Sequence, residues 1–427
     1  MIIRPRCTFR TSLLALALTM PGLLTMLATS GLAQTFSVLH AFTGGADGQS
    51  PNGVTVAGPG VLYGTTFEGG THGWGTVFKL AQRGSGWTVS PLWEFADGSD
   101  GAQPFASVTV GPNGAVYGTT FLGGTGNCGG GGCGTVYEVQ PPATACKTAI
   151  CYGNETVLHS FQAEANDGQF PEYVSPAFDH AGNLYGTTQD GGAYGAGVLW
   201  ELSPSGGGWT ESIPHTFQDN GIDGWQPKFG VILDPAGNLY GTTWYGGTLE
   251  GGTVYELSPS GGTWTENILY NFPLTSVGYS AYPEGLVMDP SGNLYGTVSE
   301  SGVANASVFE LTPSDGSWIL STLHTFSNRS CYPGSIARDT AGNLYGSCNE
   351  GGAYGYGWVF ELTNSGGSWT LTDLYDFTGQ SDGGYPAGTV VLDSSGNLYG
   401  GTAIGGNLSD CIEYSSVGCG TVWEITP

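Results

Sequence analysis

Gly237-Asn238-Leu239-Tyr240-Gly241-Thr242-Thr243, followed by Gly251-Gly252-Thr253-Val254-Tyr255-Glu256-Leu257, is the stretch from which the fold of this chain can be read. Its centre, Leu-Tyr-Gly-Thr-Thr or a close variant, occurs seven times, with the tyrosine at Tyr63, Tyr117, Tyr185, Tyr240, Tyr295, Tyr345 and Tyr399. Successive tyrosines are 54, 68, 55, 55, 50 and 54 residues apart, so one supersecondary unit is copied along the chain.

The fourth copy shows the unit. Lys228 to Asp234 reads as a strand, Pro235-Ala236-Gly237-Asn238 as a turn, and Leu239 to Thr243 as a second strand. After the glycine-rich segment Trp244 to Gly252 come a third strand, Thr253 to Leu257, a tight turn, Ser258 to Gly262, and a fourth strand, Trp264 to Phe272. Four antiparallel strands of about six residues, repeated without helical periodicity, predict an all-β fold, a seven-bladed β-propeller. An open solenoid would need polar caps, and neither end supplies one. The last repeat stops after its third strand, Gly420 to Ile425, while Phe36-Ser37-Val38-Leu39-His40-Ala41-Phe42 matches the fourth-strand segments ending Leu158-His159-Ser160-Phe161 and Leu323-His324-Thr325-Phe326. The N-terminal strand is therefore expected to complete the last blade, closing the ring and removing exposed edges.

Residues 1–33 carry Arg4, Arg6 and Arg10, an apolar run from Leu13 to Leu27, and Gly31-Leu32-Ala33, the layout of a secretory signal peptide. The mature chain is expected to start at Gln34 and to form one propeller domain over 34–427. No lipobox cysteine follows the apolar run, and no later run reaches the roughly 20 apolar residues of a membrane helix. Loss of the signal leaves six basic residues against 35 acidic ones, moving the formal charge from −26 to −29. That field repels nucleic acid and anionic membrane surfaces and favours solubility, which excludes nucleic-acid binding and suits a secreted or periplasmic monomer. Glycine, 76 of 427 residues, sits at fixed repeat positions and reads as turn chemistry. Cys7 leaves with the signal, and the other eight cysteines fall into near neighbours: Cys128 with Cys133, Cys146 with Cys151, Cys331 with Cys348, and Cys411 with Cys419. In an exported chain these are expected as disulfides, and closing a loop of roughly 6 residues contributes about 2 kcal/mol.

The glycine-asparagine turn, the Leu-Tyr-Gly-Thr-Thr strand and the Gly-Gly-Thr-Val-Tyr-Glu-Leu strand together resemble the GloVer tandem repeats of bacterial exported proteins, often described as choice-of-anchor repeat proteins. The resemblance covers nearly all of the mature chain. It implies an extracytoplasmic repeat protein of unassigned activity, in some members tethered by a C-terminal sorting domain; this chain ends at Pro427 without one.

In propeller geometry the loops from strand four to the next strand one, and from strand two to strand three, share the face where ligands bind. The first loops contain Asp-Gly-x-x-Pro at Asp47, Asp100, Asp167, Asp223 and Asp382. These read as turns in which aspartate bonds nearby amides, or as a carboxylate ring able to hold Ca²⁺. The glycine-rich loops and their neighbours present Trp74, Tyr194, Trp225, Trp244, Tyr245, Tyr354 and Trp358, flat rings that among carboxylates suit sugars but could equally pack between blades. Trp225 and Trp244 are the leading ligand contacts because other repeats lack tryptophan there. His40, His159, His215 and His324 share one fourth-strand position with Trp93, Tyr270 and Tyr375 and read as structural. His72, near Trp74, is the one histidine placed as a propeller enzyme would use it. Asp179, Asp234, Asp289, Asp339 and Asp393 before the hairpin turns, and the strand-three glutamates, recur in nearly every repeat, as fold residues do.

The expected function is an exported binding module for a glycan or cell-surface partner, without catalysis. The competing expectations are a polysaccharide lyase or glycosidase, or a lyase similar to the streptogramin-cleaving propellers, with His72 and carboxylates as acid and base, and a structural envelope or matrix protein.

Overall fold

The computed structural model describes residues 34–142, 152–164, 166–274, 278–299, 306–326, 331–411 and 418–427. The segment read as a signal peptide, and the Cys146 and Cys151 pair, lie outside the described residues.

Seven four-stranded antiparallel sheets follow one another as the blades of a seven-bladed propeller, numbered here from the sheet of Gln49–Gly58. The Leu-Tyr-Gly-Thr-Thr segments are the second strands, Leu239–Thr243 in blade four. There the third and fourth strands are Glu250–Ser260 and Thr263–Pro273, joined through Gly261 and Gly262. The expected hairpin turn forms: Gly237 takes φ 88°, and its amide donates to the Asp234 carbonyl at 3.1 Å. The first strands of blades two to six are shorter than expected, only Ile232–Leu233 in blade four, whereas those of blades one and seven run over Gln49–Gly58 and Gly384–Leu392. The residues before them face the central channel and pair across blades instead, as the Tyr173 amide does with the Lys228 carbonyl at 3.0 Å.

The ring closes as the sequence predicts. Thr35–Ala41 pairs antiparallel with Thr421–Thr426, Phe36 opposite Ile425, and supplies the fourth strand of blade seven. Phe36 stacks at 3.7 Å on Tyr375 of blade six, so the N-terminal strand also ties two blades together. Seven apolar clusters fill the seven seams between blades. The seam between blades seven and one, with Phe42 and Val422 against Val54, Leu62 and Phe78, is as dry as the others. Both faces of every blade are thereby buried against a neighbour.

Each residue of the pentapeptide has a separate task. The leucine enters the seam cluster, as Leu239 does at 0% exposure. The tyrosine hydroxyl reaches two carboxylates: Tyr240 donates to Glu256 at 3.1 Å and lies 3.2 Å from Asp234, an arrangement repeated at Tyr185, Tyr295, Tyr345 and Tyr399. Asp234 in turn accepts the amides of Ala236 and Asn238, so the recurrent acids are fold residues. The first threonine bonds a carbonyl of the next blade, Thr242 to Glu284 at 3.0 Å and Thr187 to Phe229 at 2.8 Å. The second meets a threonine of strand three, Thr243 with Thr253 at 2.8 Å.

The glycine makes room. Gly241 pairs with Tyr255 in the ladder, and a Cβ on it would stand 2.3 Å from the Tyr255 hydroxyl. The same holds for Gly64 under Phe78, Gly118 under Tyr137, Gly186 under Trp200, Gly296 under Phe309, Gly346 under Phe360 and Gly400 under Trp423, at 2.3–2.7 Å. All seven rings are at most 1% exposed.

Two outcomes are expected. Deleting residues 34–43 strips Thr421–Thr426 of its partner and takes Phe36 from one seam and Phe42 from the next, so the melting temperature falls by about 10 °C or more in a thermal melt; an unchanged value would contradict ring closure. Gly241→Ala costs about 1–3 kcal/mol by overpacking, and in a double-mutant cycle most of that cost vanishes when Tyr255 is already leucine.

Candidate functional site

The chain segments that follow each Asp-Gly-x-x-Pro turn, or its counterpart, converge on the propeller axis. They line a channel cavity of about 730 Å³, bounded by Asn52, Phe105, Tyr173, Phe229, Trp244, Tyr282, Glu284 and Tyr332 among others. The residue after the proline is uncharged in blades one, two, six and seven, at Asn52, Phe105, Gly334 and Ala387, but is Glu172, Lys228 and Glu284 in the other three. The sevenfold repetition breaks here.

Lys228 Nζ lies 2.7 Å from Glu172 Oε2, both side chains being mostly buried, and 4.0 Å above the Trp244 ring. That ion pair and cation–π contact fix the lysine between neighbouring blades. Glu284 accepts a hydrogen bond from Ser299 at 3.1 Å. Burial pushes the Glu284 carboxyl up to about 8; Ser299 and Lys228 pull it down, and Glu172 adds to the rise. Asp190, bonded by Gln226 at 3.3 Å, is also raised by burial, against the pull of Gln226 and Lys228. Burial thus favours the neutral form of Glu284, while Glu172 is held beside a cation.

Aromatic rings frame these charges. Trp225 stands opposite Tyr245 in a two-residue ladder and stacks on it at 4.4 Å; Tyr245 and Trp244 each meet the edge of Tyr282, at 5.4 and 5.1 Å. Burial, and then the Tyr282 hydroxyl, push Tyr245 up to about 12. Tyr173 stacks on Phe229 at 5.4 Å and meets the edge of Phe105 at 5.6 Å. Trp244 Nε1 is buried without a hydrogen-bond acceptor among the described residues. An indole N–H without an acceptor, a hydrogen-bonding carboxyl and several ring edges suit a ligand that is polar at its rim and apolar on its faces.

The structure brings together Trp225, Trp244 and Tyr245 of the sequence-predicted residues. Tyr194 and Tyr354 lie apart on outer loops, 60% and 61% exposed. Trp358 corrects an expectation: it is wholly buried in the seam between blades five and six, 5.8 Å from Phe326 and 5.7 Å from Phe360, because it begins strand three at a core-facing position. His72 and Trp74 line a second cavity of about 640 Å³ with Glu68, bounded by blade-one loops and Cys411, and not the channel. Glu172, Lys228, Glu284 and Tyr282 were missed by the sequence reading. Their signal was the charge after the proline in three consecutive repeats, obscured in blade five because Ser280-Ala281-Tyr282-Pro283 lacks the Asp-Gly pair.

The two loop classes do share a face, since the Gly192 and Gly247 amides donate to the carbonyls of Asp167 and Asp223, each at 2.7 Å. The aspartates cap their own loops: Asp47 accepts the Thr43 amide at 3.1 Å, Asp100 that of Ala96 at 3.1 Å, Asp167 that of Gln162 at 2.7 Å, Asp223 that of Gln218 at 3.0 Å and Asp382 that of Thr378 at 2.8 Å. None of the five lines the channel. Disulfides join Cys128 to Cys133, Cys331 to Cys348 and Cys411 to Cys419, as their spacing predicts, stiffening loops on this face. Three disulfides suggest an extracellular or periplasmic protein, and among the described residues no helix is long and apolar enough to cross a membrane.

Comparison with solved structures finds the propeller fold repeatedly. Hydrazine synthase of Kuenenia stuttgartiensis is similar at a TM-score of 0.51 with 13% identity, over 81% of this chain and 90% of that one. A protein from Lactobacillus plantarum reaches 0.50 with 17% identity, over 82% and 88%. A candidate 6-phosphogluconolactonase from Bacteroides uniformis reaches 0.48 with 16% identity, over 75% and 82%. At such identities the likeness is one of fold. No curated protein matches in sequence. The model of the Gloeobacter/Verrucomicrobia repeat matches residues 24–155, 132–307 and 282–427, three overlapping tracts that span the propeller, and the chain belongs to that repeat family.

Proposed function

We propose that this protein is an exported binding module, freed of residues 1–33, that takes part of a glycan, free or on a cell-surface partner, into the mouth of its channel. The observation that carries the reading is the cluster of Glu172, Lys228, Glu284, Trp244, Tyr245 and Tyr282, which occurs once in an otherwise repeated ring. Selective recognition needs an asymmetric surface, and this is where the repeats differ in charge. The cavity falls within the range of about 300–1,000 Å³ usual for small-ligand sites. Sugar CH faces would meet the tyrosine rings, while hydroxyls would accept from Trp244 Nε1 and bond the carboxyl groups.

A second reading is favoured by one observation. Glu284, whose carboxyl burial pushes up, lies near Glu172, which is paired with Lys228, and two carboxyl groups in such different surroundings are the pattern of a glycan-cleaving acid and base. In that case the ligand is consumed, and the base is not His72.

A glycan array probed with the full secreted chain, with calcium and with chelator, is expected to show reproducible binding in both conditions. Trp244→Ala should weaken affinity for the best glycan at least tenfold, and an unchanged affinity would move the site elsewhere; a blank array in both conditions overturns the glycan reading. Incubating the bound glycan with protein and analysing it by mass spectrometry separates binding from cleavage, which Glu284→Gln would abolish.

Glu284 also makes stability depend on pH. Its carboxyl is raised from 4.5 to about 8, so the neutral form contributes stability that is fully present below pH 4.5 and is lost as pH rises through about 8. Between pH 5 and 9 the melting temperature of the native protein is expected to fall relative to that of Glu284→Gln. Parallel curves for the two would show that Glu284 is charged throughout.

A further inference from the structure

The fourth strands of blades one, five and six place Val89, Leu320 and Leu371 opposite the strand-three residues Leu80, Leu311 and Leu362. At the same register blades three and four carry Glu211 and Glu266, opposite Leu202 and Leu257. An acid in a seam position filled elsewhere by an aliphatic side chain is costly to bury unless something compensates it.

Each of these glutamates meets a histidine and an aspartate of the preceding blade. His215 Nε2 lies 3.2 Å from Asp223 Oδ2 and 3.5 Å from Glu266 Oε1. His159 Nε2 lies 3.3 Å from Asp167 Oδ1 and 3.3 Å from Glu211 Oε1. Within each trio one ligand atom from every residue falls within 4.8 Å of the others. The imidazole–aspartate pairs are within hydrogen-bond reach of one another; ligands held at about 2.0–2.2 Å by a tetrahedral zinc ion stand about 3.3–3.6 Å apart, so the same spacing accommodates an ion.

A second observation points the same way. Oε1 of Glu266 and Oε1 of Glu211, the oxygens that face the two imidazoles, are buried without a hydrogen-bond partner among the described residues, as is Oδ1 of Asp223, whose side chain is only 9% exposed and whose Oδ2 takes the Gln218 amide at 3.0 Å. A divalent cation would satisfy these oxygens. The other seams lack part of the set. His40 and Asp47, 3.0 Å apart, belong to the seam where blade one has Val89, and Trp93 holds the histidine position in the seam that has Glu155.

We propose that His215, Asp223 and Glu266, and in the preceding seam His159, Asp167 and Glu211, form two homologous sites for a divalent transition-metal ion of the zinc class, each with a coordination position left open. Imidazole among the ligands selects such an ion over Ca²⁺, whose preference is for oxygen alone. The two ions would clamp blade two to blade three and blade three to blade four, and blades three and four carry Glu172 and Lys228. This assignment stands whether or not the channel binds a glycan.

The test is calorimetric titration of Zn²⁺ into the chelator-treated, folded, full secreted chain, with Ca²⁺ titrated separately. Two zinc ions per chain and no calcium at these sites are expected, with a rise in melting temperature on zinc addition. Glu266→Leu, the residue of blades five and six at that register, and His215→Tyr, the residue blade four carries as Tyr270, should each leave one zinc ion. Glu211→Leu with Glu266→Leu should leave none and no thermal shift. Zinc uptake absent from the folded native chain, or retained in full by the folded double variant, overturns the proposal.

Discussion

The constraint on which the blades depend is the contact between a side-chain-free Cα and an aromatic ring one strand away. At seven equivalent places a glycine of strand two faces Phe78, Tyr137, Trp200, Tyr255, Phe309, Phe360 or Trp423 of strand three. Glycine in a strand ordinarily weakens it, because it gives up side-chain packing and costs backbone entropy. Here the ring restores the packing, and the volume given up by one residue is filled by the next. Phenylalanine, tyrosine and tryptophan all serve, which shows that the requirement is for a flat apolar body and not for a particular polar handle.

From that contact the rest of the blade follows in sequence order. The tyrosine before the glycine points the other way along the pleat and ties strand two to the outer hairpin turn and to strand three through two carboxylates. The threonine after it crosses to the next blade. One five-residue segment therefore specifies contacts within a blade and between blades, and copying it seven times copies the seams as well. The N-terminal strand serves the same economy: it fills the vacant place in blade seven, covers the edge of Thr421–Thr426 and gives that blade the same four strands as the others.

Where all blades agree, a residue belongs to the fold; where they differ, chemistry becomes available. Homologous positions converge on the channel, so a charge in three consecutive blades produces a one-sided cluster, of which Glu284 lines the cavity and Lys228 and Glu172 pair beside it. Burial favours the neutral form of Glu284. The seam acids Glu211 and Glu266 are departures of the same kind, each replacing an aliphatic residue.

The amino-acid sequence determined the blade number, the strand order within a blade, the closing strand and three cysteine pairs, because each is carried by local periodicity or short spacing. It also marked Trp225, Trp244 and Tyr245, whose residue types break the repeat. Tertiary structure alone decided that Trp358 packs in a seam while Trp244 reaches the channel: Trp244 opens its glycine-rich segment directly after strand two, whereas Trp358 closes its own and begins strand three at a core-facing position. It likewise decided that Glu172, Lys228 and Glu284, separated by 56 residues at each step, meet around one axis. A repeat length can be read along the chain, but the ring's curvature, which brings equivalent positions of different blades together, arises only when all seven seams are packed.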